Sequence, residues 1–166
     1  MSQNTKRPTI LLNPGPVTIT ERVRASLMRE DLCHREEEFA RIVLDIKKRL
    51  ARVYPEAEKD YEAVIMSGSG TCAVESIMQS LAPREGKTLV IANGVYGERI
   101  AAMLEAQGKP LVLVKGAWPE PMNLAEAEEI LKKDRSITHV SAIHNETTTG
   151  RLNDMDALGA LCRKCH

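Results

Sequence analysis

From Tyr61 onward the chain alternates between two kinds of segment, and that alternation narrows the fold more than any other feature. Short apolar runs (YEAVIM, KTLVIA, KPLVLV and ITHVSAI) are spaced by longer segments, TCAVESIMQSLA, YGERIAAMLEAQG and NLAEAEEILKK, with MDALGALCRKC following the last run. The short runs are apolar on both alternating faces, as in strands covered from both sides. The longer ones repeat apolar residues at helical spacing; Leu124, Ala127 and Leu131 share one side of theirs. Parallel strands need a crossover long enough for a helix, and these segments supply it. The pattern predicts an α/β fold: a mostly parallel sheet with flanking helices. Gly108 is placed to end the helix before KPLVLV.

The first sixty residues read differently. LLNPGPVTIT sets two prolines around a glycine and predicts an extended arm with a tight turn. Thr20 is a natural N-cap for a short helix over TERVRASLMRE. FARIVLDIKKRLARVY places Phe39, Ile42, Val43, Ile46, Leu50 and Val53 on one helical face. We therefore divide the chain into an arm with two helices, residues 1–60, and a sheet-bearing part, residues 61–166.

Composition removes several function classes. Lys plus Arg and Asp plus Glu are 23 each, so the net charge is zero, which argues against a nucleic-acid or anionic-membrane partner. Runs such as Arg35–Glu36–Glu37–Glu38 read as solvated helix faces. One Trp, one Phe and three Tyr leave an aliphatic core. No apolar run is long enough for a membrane span, and the N-terminus lacks the apolar stretch of a signal peptide. A cytoplasmic protein with four reduced cysteines is expected.

Three loops carry candidate chemistry. Ser67-Gly68-Ser69-Gly70-Thr71 lies between a strand-like run and a helix. Free amides and the positive helix end there suit a phosphate, and the hydroxyls add donors; it also reads as an ordinary glycine-rich turn. It is neither a P-loop nor a G-x-G-x-x-G turn. Asn93-Gly94-Val95-Tyr96-Gly97 presents a tyrosine between glycines, able to lie against a planar ligand or to serve as a core aromatic. HNETTTG ends the last strand with Thr147, Thr148 and Thr149. All three loops fall at the carboxyl ends of strands, where open α/β sheets bind ligands. His144 reads as a hydrogen-bonded core histidine, and Glu146 as a cap or pairing group near the loop.

LLNPGPVTIT, SGSGTCAVES, NGVYGER and HNETTTGRLND occur in this order over about residues 8–166. In that ordered set the chain resembles the class V, fold-type-I aminotransferases that depend on pyridoxal phosphate. DLCHREEEF and HNETTTG resemble the branch that moves an amino group from an aminophosphonate to pyruvate. The alanine–glyoxylate and serine–pyruvate branches share the PGP arm and the G-S-G turn. The resemblance implies that Ser69, Gly70 and Thr71 hold the cofactor phosphate, that Tyr96 stacks on the pyridine ring, and that Thr147 bonds near its phenolic oxygen. It implies that Asn13, Pro14, Gly15 and Pro16 form the arm that approaches the substrate. It implies an amine and a 2-oxo acid as substrates and a homodimer as the assembly.

Such chemistry also needs a lysine to carry the cofactor and an acid on the ring nitrogen. In the family these lie on later strands, so the chain is expected to be the front of something longer, inactive alone. None of its lysines falls at a matching position, and Lys87, Lys109 and Lys115 read as surface groups flanking strands. Two rivals remain at the end of the chain. Cys162-x-x-Cys165-His166 spells a haem-attachment motif, which normally requires export. A zinc site there needs a fourth ligand, for which Cys33 or His34 is available only if the fold brings it close. A non-catalytic structural or dimer-forming fragment is the remaining alternative.

Overall fold

The computed structural model describes residues 9–165. The chain divides into two compact units between Met66 and Ser67, six residues beyond the sequence-based division.

The first unit holds the arm and two helices. The arm bends over residues 13–16, and the Leu11 amide donates to Thr18 Oγ1 at 2.7 Å across that bend. Helix α1 is Glu21–Ser26, with Thr20 Oγ1 accepting from the Val23 amide at 3.4 Å as the expected cap. Helix α2 is Glu37–Ala51. Its solvated side carries the i,i+4 pairs Glu37–Arg41 at 2.6 Å and Asp45–Arg49 at 2.8 Å. Neither helix contains a buried residue. A short 3-10 turn, Pro55–Ala57, follows.

The run YEAVIM, expected to be a buried strand, is not one. Residues 61–66 form no ladder, and Tyr61 and Val64 are 72% and 84% exposed. A strand is stabilised through a hydrogen-bonded neighbour, and no described residue of this unit is in a strand to serve as one.

The second unit is a three-layer α/β arrangement. Strands β1 (Lys87–Ala92), β2 (Leu111–Lys115) and β3 (Ile137–Ala142) form a parallel sheet in the order β2-β1-β3. Central β1 is buried on both faces, and its alternating side chains feed two cores. Leu89 and Ile91 pack with Val114, Ile137, Ala127 and Leu131 on one side, where α5 (Leu124–Lys133) and α6 (Met155–Cys165) lie. Val90 packs with Ile100, Ala101 and Leu104 of α4 (Val95–Ala106) and with Val74 and Met78 of α3 (Gly70–Leu81) on the other. Gly108 takes φ +64° behind α4, the left-handed conformation the expected helix stop requires.

Lys109 corrects another expectation. It is only 6% exposed, and its ammonium donates to the carbonyls of Met78, Gln79 and Ala82 at 2.6–2.7 Å. These are carbonyls at the C-terminal end of α3, where a cation meets the negative end of the helix.

Candidate functional site

Strands β1 and β3 are neighbours, yet the chain leaves them toward opposite faces: β1 leads to α4 and β3 toward α6. Such a divergence opens a crevice at the carboxyl edge. The polar tip that follows β3 is a small hairpin. Strands β4 (Asn145–Glu146) and β5 (Arg151–Leu152) pair antiparallel, and residues 147–150 make the loop, with Gly150 at φ +71°. This hairpin was not expected, since two-residue strands carry no hydrophobic period to read.

Its base is fixed to the end of β1. Asn93 and Asn153, both buried, exchange amide hydrogen bonds at 2.9 and 3.1 Å. Their remaining amide hydrogens go to the carbonyls of Glu120 and Ile143, both at 2.8 Å. The Arg151 guanidinium donates to the Pro119 carbonyl. Every donor of the two amides is thus satisfied, as burial demands.

Glu146 fastens the hairpin to α4. Its side chain is fully buried, and one carboxylate oxygen accepts from the amides of Tyr96 at 3.1 Å and Gly97 at 3.2 Å. The other accepts from the Thr148 hydroxyl at 2.5 Å and the Thr148 amide at 3.4 Å. Thr148 Oγ1 in turn accepts from the Val95 amide at 3.3 Å. Glycine is required at position 94, because a Cβ there would lie 2.3 Å from Glu146 Cγ. Glu146 therefore caps α4, one of the roles the sequence allowed it. His144 is exposed rather than a core histidine; its carbonyl accepts from the Asn153 amide at 2.7 Å.

The glycine-rich turn meets the same edge. Ser69 is the N-cap of α3, its Oγ accepting from the Cys72 amide at 3.3 Å. A Cβ at Gly70 would meet nothing within 4 Å, so the turn is open at that point. Thr71 Oγ1 accepts from Arg99 Nη1 at 3.2 Å, and the Arg99 guanidinium stands 5.0 Å from the centre of the Tyr96 ring. Tyr96 is 36% exposed. Arg99 thus joins the glycine-rich turn to the tyrosine. The sequence reading passed it over, although the i,i+3 spacing of Tyr96 and Arg99 on a helix places them together. Thr149 is engaged within the loop, donating to the Glu146 carbonyl at 3.2 Å. Thr147 is half-buried, and no described residue partners its hydroxyl.

The structure thus gathers Ser69, Gly70, Thr71, Tyr96 and Thr147 at one edge of the second unit. Asn13, Pro14 and Gly15 are exposed and belong to the first unit. The lysines of the second unit are engaged elsewhere. Besides Lys109, Lys87 pairs with Asp134 at 2.7 Å and Lys115 with Glu98 at 3.0 Å. Lys132 and Lys164 pair with Glu128, and Lys133 with Glu129. Lys87 and the Ser136 hydrogen bonds hold the Asp134 carboxyl down at about 2. Lys132 and Lys164 hold Glu128 at about 2.

The cysteine motif is a feature of α6. Cys165 is buried in the core beside Leu158 and Leu161, Cys162 packs against that core, and burial pushes the Cys162 thiol up, away from the thiolate a metal needs. His166 lies outside the described residues. Among the described residues no group of three or more metal-ligating side chains is gathered, and no helix is long and apolar enough to cross a membrane.

An open, hydroxyl-rich helix start and a presented aromatic thus share the carboxyl edge of a parallel α/β sheet, the edge at which such sheets bind ligands. The sequence over residues 19–166 matches the aminotransferase class-V family, and the chain belongs to it. It is 45% identical to a 2-aminoethylphosphonate–pyruvate transaminase of Bacillus cytotoxicus, over 87% of this chain and 39% of that protein. It is 42% identical to the enzyme of the same name from Bacillus mycoides, with the same coverage. The chain therefore spans about two fifths of the length of these curated relatives. In structure it resembles pyridoxamine–pyruvate aminotransferase from Mesorhizobium loti, with a TM-score of 0.83 and 25% identity over 99% of this chain and 41% of that one.

Proposed function

We propose that this chain supplies the phosphate turn and ring-contacting residues of a pyridoxal-phosphate-dependent aminotransferase. The reaction moves the amino group of 2-aminoethylphosphonate to pyruvate, giving phosphonoacetaldehyde and alanine. The observation that carries the reading is the link Thr71–Arg99–Tyr96, which ties a hydroxyl at the open start of α3 to the exposed ring of Tyr96.

The donor set fits the cofactor. Two helix N-termini reach this edge, and either attracts an anion. That of α4 is already met by the Glu146 carboxylate, while that of α3 is open at Gly70. A phosphate is therefore directed to α3, where Ser69, Gly70 and Thr71 hold it. Tyr96 lies against the ring and excludes water from that face. Thr147, with its hydroxyl unpartnered, donates to the ring's phenolic oxygen. When bound, the cofactor acts as the electron sink for the carbon that loses its amino group. Each lysine of residues 67–165 has another partner. We therefore place the cofactor-bearing lysine and the acid on the ring nitrogen in the part of the relatives' length that this chain does not span. Asn13, Pro14 and Gly15 are taken as substrate contacts on the sequence resemblance alone. The same resemblance supports a cytoplasmic homodimer.

The test is substrate profiling of the full-length holoprotein that carries this sequence. Alanine formation from pyruvate that depends on 2-aminoethylphosphonate is expected. Activity with serine or glyoxylate, and none with the aminophosphonate, overturns the choice of donor.

A further inference from the structure

The geometry points to Glu146 as a positioning residue that holds the two ring contacts of the site, Tyr96 and Thr147, in register with each other; this rests on the cofactor reading above. Four donors converge on its carboxylate from two segments about fifty residues apart. The Tyr96 and Gly97 amides bind one oxygen, and the Thr148 amide and hydroxyl bind the other. Tyr96 and Thr147 are the residue whose amide is clamped and the immediate neighbour of the clamped Thr148. All four groups donate, and a carboxylate is the side chain that accepts on both of its oxygens. A glutamine of the same shape turns an NH2 toward one pair and releases one side of the clamp. The absence of a side chain at Gly94 is what lets the carboxylate reach the helix start.

The start of α3 lies outside the clamp. Ser69, Gly70 and Thr71 make no hydrogen bond to Glu146. Loss of the clamp therefore acts on the ring contacts and spares the phosphate turn. A merely structural carboxylate, whose loss loosens the whole edge, weakens both alike.

The experiment compares wild type with Glu146→Gln in the full-length protein that carries this sequence. Dissociation constants are measured for pyridoxal phosphate and, separately, for inorganic phosphate. Hydrogen exchange of the Tyr96, Gly97 and Thr148 amides is followed in the cofactor-free protein. We expect E146Q to weaken pyridoxal phosphate roughly tenfold, the scale of losing a hydrogen bond to a charged group, with phosphate binding unchanged and the Tyr96 and Gly97 amides or the Thr148 amide exchanging faster. Unchanged pyridoxal phosphate affinity, or an equal loss for both ligands, overturns the inference. A wild-type protein that binds neither ligand overturns the cofactor reading itself. If E146Q does not fold, Thr148→Val breaks the clamp from its exposed side, and the same split between the two ligands is required of it.

Discussion

Helix α2 and strand β1 both carry dense aliphatic residues, and their surroundings could hardly differ more. In β1, Leu89, Val90, Ile91 and Ala92 are at most 1% exposed. In α2, no residue is buried, and Leu44, Ile46 and Leu50 are 42–55% exposed. The difference is one of neighbours rather than of composition. β1 sits between two strands and between two helical layers, so each side chain removes its apolar area from water. Among its described residues, the unit of α2 contains no second apolar layer that buries it. A hydrophobic period shows which side of an element wants burial; it does not supply the partner.

Substitutions in the two regions should separate most widely. Ile91→Ala is expected to cost about 3 kcal/mol by leaving a cavity in a packed core. The matched Ile42→Ala in α2 should cost under about 1 kcal/mol. Urea unfolding of the two variants, followed by stability, measures the gap; equal losses would break the comparison. Lys109→Met comes next, at about 2 kcal/mol, because three carbonyls at the end of α3, that of Ala82 buried, lose their donor. Gly94→Ala should cost roughly 1–3 kcal/mol, since the new methyl collides with Glu146 and the carboxylate must shift. Thermal unfolding reports both.

Two smaller effects sharpen the picture at the surface. Arg99→Met removes the link between Thr71 and Tyr96, and an exposed cation–π contact of about 0.5–1 kcal/mol predicts a few-fold weaker cofactor, read by titration of the apoprotein. Asp134 is held at about 2, chiefly by Lys87, below the usual value of about 4. A depressed carboxylate stabilises the fold above its unfolded value, and that stabilisation fades as pH falls through the folded one. The stability difference between wild type and Lys87→Met should therefore narrow between about pH 4 and about pH 2. In the first unit, the Glu58 hydrogen bond raises the Arg52 guanidinium instead, so that pair gives no matching acid transition from the arginine side.

Hydrogen exchange would compare the regions without mutation. Amides of residues 87–92 should exchange only through large-scale opening, and those of α1 and α2 much faster.

The sequence determined the elements whose signals are local. The periodicity of Leu124, Ala127 and Leu131, the strand-like runs KTLVIA and KPLVLV, the cap at Thr20 and the stop at Gly108 all depend on residues close in the chain, and all appear in the structure, the second run starting its strand at Leu111. Two of the three candidate loops, those after β1 and β3, were legible for the same reason, because α/β alternation places those strand ends on one edge; the glycine-rich turn, expected at a third strand end, follows no strand. What the tertiary structure decided was the set of partners. YEAVIM has a strand's composition but no ladder among the described residues, since pairing is not a local property. Lys109 reads as a surface lysine until α3, some thirty residues earlier, ends against its ammonium. Glu146 reads as a cap or pairing group near its own loop, but the helix it caps, α4, begins about fifty residues away. A buried polar group is satisfied by whatever the fold brings to it, and hydrophobic periodicity carries no record of that distance.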